Sequence, residues 1–284
     1  MPQTRPRTRL RCEPGTDDVG VTVRAPAKLT LSLRVIGVRE DGFHLLDAEM
    51  VSIDLADTLT FEPGSGIVVH DDVRGGLGVG LLSVGPENLV ARALVAVGRS
   101  AAVRIEKQIP VGAGLGGGSA DAAAVLRWAG SRDPAVAARL GADVPFCLIG
   151  GRARVTGVGE QVDLLPFEDR RFVLLLAPLS VDTAAVYRRW DERAAGAGGA
   201  AQNDDTGGND LEAAALDVAP SLARWRDELA EVTGERPRLA GSGSSWFVEG
   251  DRDELGLAGR DFLTVGEERA ALVTVQTVPG SSGY

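Results

Sequence analysis

The sequence predicts an α+β chain built as two bodies, and three observations carry that expectation. Strict alternation from Val21 to Val35 puts Ala27, Leu29, Leu31, Leu33 and Val35 on one face and Lys28, Thr30, Ser32 and Arg34 on the other, which is the period of a β-strand. A turn at Glu40-Asp-Gly42 leads into two further strand-like segments, Ala48 to Leu55 and Thr58 to Glu62; this hairpin-like spacing favours α+β over a parallel doubly wound sheet. Gly150-Gly151 then punctuates the chain, and a second body begins after about Asp163.

Taken in order, residues 1–20 read as a frayed tail: Arg5 to Arg11 is arginine-rich but carries no apolar segment, so it is no secretory signal, with a transit peptide as the alternative. Residues 21–163 form the first body and 164–284 the second. Asn88 to Val97 predicts a helix with Leu89, Ala93 and Val97 on one face, and Val103 to Ile109 a strand. A helix follows from about Ala120 to Trp128, and Asp143 to Ile149 reads as a short helix that Asp143 itself could cap. The apolar run from Phe172 to Leu179 is too short to cross a bilayer and reads as a buried strand. Ala194 to Asn209, rich in Gly and Ala with Asn and Asp, reads as a flexible loop.

Composition narrows the function classes. The 284 residues carry 40 acids against 30 Lys and Arg, a formal charge of −10, which argues against non-specific nucleic-acid binding because phosphate backbones are repelled at long range. A local phosphate site held by backbone amides and one lysine is compatible with that charge. Cys12 and Cys147 stand far apart and outside metal-ligand spacing, so the expected setting is reduced and cytoplasmic, with no membrane partner.

The sharpest chemical signal is Pro110-Val-Gly-Ala-Gly-Leu-Gly-Gly-Gly-Ser-Ala-Asp-Ala-Ala-Ala-Val-Leu126, five glycines between a strand and an alanine-rich helix. Glycine tolerates positive φ and lacks a Cβ, so successive amides can converge on an anion, and the following helix adds unpaired N–H groups and the positive end of its dipole. Ser119 is placed to cap that helix or to reach a phosphate-bound Mg²⁺. No Gly-Lys-Ser/Thr ends the loop, so it is not a Walker A loop. Gly112, Gly114 and Gly117 fit the dinucleotide pattern G-x-G-x-x-G, although a hundred residues precede it where a Rossmann domain would open. The bland alternative is a mobile connection. Lys28 is a second candidate against a solvated strand lysine, Asp143 a third against a helix cap, and His44 a fourth against an ordinary loop histidine. Gly241-Ser-Gly-Ser-Ser-Trp-Phe247 adds a second glycine turn leading into a strand.

Read together, Pro26-Ala-Lys-Leu-Thr-Leu31, the glycine loop and Leu239 to Phe247 resemble the three motifs of the superfamily of galactokinase, homoserine kinase, mevalonate kinase and phosphomevalonate kinase. Pro26-Ala-Lys28 followed by Arg39-Glu-Asp-Gly-Phe-His-Leu-Leu46 is most similar to its 4-diphosphocytidyl-2-C-methyl-D-erythritol kinase branch; Pro86 to Leu89, Gly141 to Pro145 and Gly157 to Glu160 agree, over about Val21 to Phe247.

The resemblance implies a ribosomal-protein-S5-like N-terminal domain that binds ATP and a ferredoxin-like C-terminal domain, with Mg²⁺ and transfer to the substrate's 2-hydroxyl. It implies Asp143 as base and Lys28 as the group orienting that hydroxyl. Pro110, Val111, Gly112, Ala113, Gly114, Leu115, Gly116, Gly117, Gly118, Ser119 and Ala120 would hold the nucleotide, with Asn88. Phe43 and Tyr187 would sandwich the cytosine, His44 would hydrogen-bond it, and Thr30 and Thr183 would line the substrate pocket. Thr30 stands where the branch usually has Asn and Phe43 where it has Tyr, while Trp246 is bulkier than expected in the third motif. The competing readings are another metabolite kinase, acting on homoserine or mevalonate, and a ligand-binding regulator that has lost turnover.

Overall fold

The computed structural model describes residues 20–71, 84–196 and 208–280. The expected tail and most of the expected Gly/Ala loop lie outside these residues.

Two long strands organise the first half: β1 (Val21–Val38) and β2 (His44–Glu62) pair antiparallel through the Glu40-Asp-Gly42 turn. The two strand segments expected within 48–62 are one continuous strand, because β2 pairs with β1 along its whole length and serves two partners on its other edge. β5 (Arg152–Gly157) pairs with its first half and β4 (Ala102–Lys107) with its second. β3 (Gly66–Asp71) adds parallel to β4, and β6 (Gln161–Leu164) adds antiparallel to β5.

The apolar face read from β1 is the buried one: Ala27 and Leu29 are fully buried, and Leu31, Leu33 and Val35 nearly so. Four helices pack on this half: α1 (Leu89–Ala96), α2 (Gly117–Trp128), α3 (Pro134–Leu140) and α4 (Val144–Ile149). α1 starts where expected because the Asn88 side chain accepts the Val90 N–H at 2.8 Å. α2 is alanine-rich because it is buried on several sides, against β1, α1 and α4, and small side chains let the backbones approach.

The second half is a sheet in the order β10-β11-β7-β9-β8, antiparallel throughout, comprising β7 (Arg171–Leu176), β8 (Arg238–Leu239), β9 (Trp246–Glu249), β10 (Phe262–Val265) and β11 (Glu268–Gln276). Helices α5 (Thr183–Gly196), α6 (Glu212–Val218) and α7 (Leu222–Thr233) complete it. Phe172 to Leu176 are buried on both faces, as the apolar run required. The α+β class is therefore observed: among the described strand pairs only β3 and β4 run parallel.

Three local expectations change. α2 begins at Gly117 rather than near Ala120, so Ser119 sits inside its first turn and Gly116, with φ 69°, occupies the cap position. The Asp143 side chain makes no capping bond to α4. Asn209, assigned to a flexible loop, is buried, and its amide donates to the carbonyls of Leu239 and Gly241 at 2.9 and 2.7 Å, tying the chain to the third motif.

Candidate active site

The glycine loop and the third motif fold against each other. The Ser244 and Ser245 amides donate to the carbonyls of Gly112 and Ala113 at 3.1 and 3.2 Å. A Cβ on Gly114, whose φ is +76°, would stand 1.9 Å from the Ala240 carbonyl oxygen, so no other residue fits there. Part of the glycine content of this loop is thus fixed by backbone packing and not by the anion alone. The first turn of α2 leaves the amides of Gly117, Gly118 and Ser119 without intrahelical partners, at the positive end of the helix dipole.

Lys28 is 6% exposed, which excludes the solvated strand lysine. The bulges that break the β1–β2 register on either side of it, between Pro26 and Lys28 and between Thr30 and Ser32, let this face turn under the loop, and its amide donates to the Leu115 carbonyl at 3.0 Å. Its ammonium donates to Thr30 Oγ1 at 3.1 Å and lies 3.6 Å from Asp143 Oδ2. With no capping bond to make, the carboxylate of Asp143 faces the lysine across the cleft. Gly116 belongs to the same contact, since a Cβ there would come 2.8 Å from Lys28 Cγ.

A cleft of about 850 Å³ joins these elements. Lys28, Asp143 and Ser119 line it together with Phe43, His44, Thr183 and Tyr187. Of the loop, Leu115 and Ala120 are buried to 1%, so their side chains belong to the core. Thr30 is buried beneath Lys28 and lies off the cleft wall, where it positions the ammonium. Asn88 lines the cleft while capping α1.

One wall of the cleft is built by α5. Thr183, Tyr187 and Asp191 recur every four residues and share one helix face. Thr183 Oγ1 meets Ser242 Oγ at 2.8 Å, and the Tyr187 ring lies 4.7 Å from that of His44. Burial, and then the charge of Asp143, hold the Tyr187 phenol above its usual range. His44 Nε2 bonds Asp191 Oδ1 at 2.7 Å, and Trp190 packs edge-on against the same imidazole. Phe43 is 58% exposed at the rim, with the Arg39 guanidinium over its ring.

The sequence reading missed a buried charge cluster below the loop. Lys107 Nζ pairs with Asp57 and, at 2.8 Å, with Asp121 Oδ2, and Asp57 Oδ1 also accepts the amides of Gln108 and Ile109 at 2.6 and 2.9 Å. Burial lowers the Lys107 pKa, but Asp121 and Asp57 outweigh it and the net direction is upward. Asp121 is pushed up to about 7, by burial first, against the attraction of Lys107 and with the repulsion of Asp57. A signal was present: Lys107 continues the apolar alternation Val103, Ile105, and a charged residue on a buried strand face requires partners.

Residues 88–151 match the family model described as GHMP kinases N terminal domain. The 4-diphosphocytidyl-2-C-methyl-D-erythritol kinase of Paracoccus denitrificans is 38% identical over 245 residues, 78% of this chain and 84% of that protein. The chain belongs to that kinase family. The enzyme of the same name from Pelotomaculum thermopropionicum is 38% identical over 256 residues, covering 80% of this chain and 88% of its own. A crystal structure of 4-(cytidine 5'-diphospho)-2C-methyl-D-erythritol kinase superposes with a TM-score of 0.64 at 32% identity, over 91% of this chain and 100% of that one. Mevalonate kinase from Methanococcus jannaschii shares the fold, with a TM-score of 0.58 at 14% identity over 92% of this chain and 99% of that one. This member of the family is an ATP-dependent kinase, and its family-model match spans both the glycine loop and Asp143. Among the described residues no helix is long and apolar enough to cross a membrane.

Proposed function

We propose that this kinase transfers the γ-phosphoryl group of ATP to the 2-hydroxyl of 4-diphosphocytidyl-2-C-methyl-D-erythritol, a step of non-mevalonate isoprenoid synthesis, with Asp143 as the base and Lys28 as the group that orients the hydroxyl and stabilises the developing alkoxide. The observation that carries the reading is the pairing of Lys28 with an Asp143 that caps nothing, at the mouth of the glycine loop. A neutral alcohol attacks phosphorus poorly, and what the protein supplies is position, proton removal and charge stabilisation. Asp143 accepts the hydroxyl proton. Lys28, held by Thr30, places its ammonium beside the same oxygen.

The loop suits a polyphosphate: the first-turn amides of α2 face the cleft, and Asn88 stands on the same wall. Mg²⁺ fits as an ion held largely by the nucleotide's own phosphates and water. Among the described residues no group of three or more His, Cys, Asp or Glu could cage it, and Ser119 is the cleft hydroxyl that would reach it. Bound there, the ion would neutralise phosphate charge. The aromatic part of the cleft suits a nucleobase, with Phe43 and Tyr187 as stacking faces, His44 as the hydrogen-bonding group and Thr183 beside the sugar alcohol.

On this reading residues 21–163 are the ribosomal-protein-S5-like ATP-binding unit and 164–284 the ferredoxin-like substrate-side unit of a cytoplasmic enzyme. The test is turnover on three alcohols with ATP and Mg²⁺. The cytidyl substrate should be consumed, and homoserine and mevalonate should not. Phosphorylation of either of the latter in preference, or nucleotide and substrate binding without ADP release, would replace this reading with the metabolite-kinase or regulator alternative.

A further inference from the structure

The imidazole of His44 is 12% exposed and is held on three sides by one helix: Tyr187 at 4.7 Å, Trp190 edge-on at 5.5 Å, and Asp191 Oδ1 on Nε2 at 2.7 Å. A carboxylate is an acceptor only, so a neutral imidazole in this contact carries its proton on Nε2 and presents a lone pair at Nδ1. The tautomer is therefore set by the neighbouring carboxylate of Asp191, in the way that an orienting carboxylate sets the tautomer of a metal-bound or catalytic histidine.

The two pyrimidines differ at this edge. Cytosine presents an exocyclic amine, a donor, where uracil presents a carbonyl oxygen, an acceptor. Their rings have the same size and stack alike, so Phe43 and Tyr187 cannot separate them. A lone pair at Nδ1 can: it accepts from the amine and is repelled by the carbonyl, and a buried polar contact left unmade is what gives hydrogen-bonding sites their discrimination.

We propose that Asp191 makes the site select cytosine over uracil by fixing the proton of neutral His44 on Nε2, which leaves Nδ1 to accept from the base's exocyclic amine. The inference rests on the reading of Phe43, His44 and Tyr187 as a nucleobase site. Asp191 is a positioning residue in it, acting through His44. As the third residue of the Thr183, Tyr187, Asp191 face of α5, it couples selectivity to the same helix that supplies the stacking ring.

The experiment compares wild type with Asp191→Asn and Asp191→Lys. The sequence holds two histidines, so nitrogen NMR of the imidazoles resolves His44 from His70, assigned with His70→Gln. Spectra are recorded at an alkaline pH at which the nitrogen shifts themselves show one protonated and one bare nitrogen in each ring, the pattern of a neutral imidazole. Wild-type His44 should be protonated on Nε2. Lysine has donors only and should move the proton to Nδ1, while asparagine permits either form. In parallel, the ratio of kcat/KM for the cytidyl substrate over its uridyl analogue should fall by about ten-fold or more in the lysine variant and less in the asparagine variant.

A structural role for Asp191 alone would lower both substrates together and leave the ratio in place. The proposal is overturned by an Nδ1-protonated His44 in wild type, by an unchanged ratio in both variants, or by a changed ratio with the tautomer unmoved. Failure of wild type to turn over the cytidyl substrate would instead reject the functional reading beneath it, and the tautomer measured without ligand keeps the two failures apart.

Discussion

Replacing Asp143 with Asn separates chemistry from structure at the one position where both were candidates. Asn is nearly isosteric, can still cap a helix and cannot accept the hydroxyl proton. The side chain makes no capping bond, so the α4 terminus loses nothing. What is lost is an ion pair at 3.6 Å whose acidic partner is 32% exposed, a contact that contributes at most ~1 kcal/mol and, in a chain of this size, about 2–4 °C of Tm. Lys28 stays anchored by Thr30, so the cleft should keep its shape. The rate should respond very differently: general-base assistance contributes ~10²–10⁴-fold, so kcat should drop by that factor with KM for either substrate changed by no more than a few-fold. ADP release at saturating substrates gives kcat, and a thermal melt of the same preparation gives stability. Lys28→Met should also lower kcat strongly, and the double variant should be little worse than the poorer single one, because groups serving one step are not additive. An Asp143→Asn enzyme within a few-fold of wild type would refute the base assignment, and fully multiplicative losses in the double variant would show that the pair does not share a step.

Gly116→Ala should lower kcat more than it raises KM for ATP, because the new Cβ meets Lys28 Cγ at 2.8 Å; steady-state kinetics in ATP decides this, and an effect on KM alone would contradict it. Gly114→Ala should instead destabilise the fold by ~3 kcal/mol in urea titration, since backbone at 1.9 Å from the new atom cannot yield and φ +76° is strained for alanine. Phe43→Ala should raise KM for the cytidyl substrate about ten-fold, from ~1–3 kcal/mol of lost stacking, and leave KM for ATP unchanged. Asp121 keeps its proton up to about 7 in the fold and only to ~3.9 in an unfolded chain, so the folded state binds more protons between those values and stability falls as pH rises through the window. Urea midpoints from pH 4 to 8 should show that slope in wild type and not in Asp121→Asn, whereas Lys107, whose pKa is raised, contributes stability lost only above its unfolded value of ~10.4.

Much of this site was legible because period and spacing are local. The β1 alternation identified its buried face, and the glycine run between strand and helix identified a tight turn leading into a helix, as found at the start of α2. Long-range packing was not legible. The strand alone left Lys28 open between a candidate and a solvated lysine, because nothing in it shows that the glycine loop and the third motif close over that face. Asn209 looked like loop because its partners, the carbonyls of Leu239 and Gly241, lie thirty residues away. The Asp57, Lys107 and Asp121 cluster joins three elements that adjoin only after folding, although the lysine breaking an apolar alternation marked one of its members. Asp191 was not singled out in the sequence, and only its contact with His44 from another element distinguishes it.

The central claim is that the Lys28 and Asp143 pair directs phosphorylation of one particular hydroxyl, and the product itself tests this most directly. Wild-type protein with ATP, Mg²⁺ and 4-diphosphocytidyl-2-C-methyl-D-erythritol should give ADP and a product heavier by one phosphoryl group. The 2-carbon carries the methyl branch and no hydrogen, so the new phosphomonoester should show no three-bond phosphorus–proton coupling to a carbinol proton. A doublet or triplet would place the phosphate on a neighbouring hydroxyl and contradict the assigned acceptor, and no heavier product at all would contradict the proposed activity.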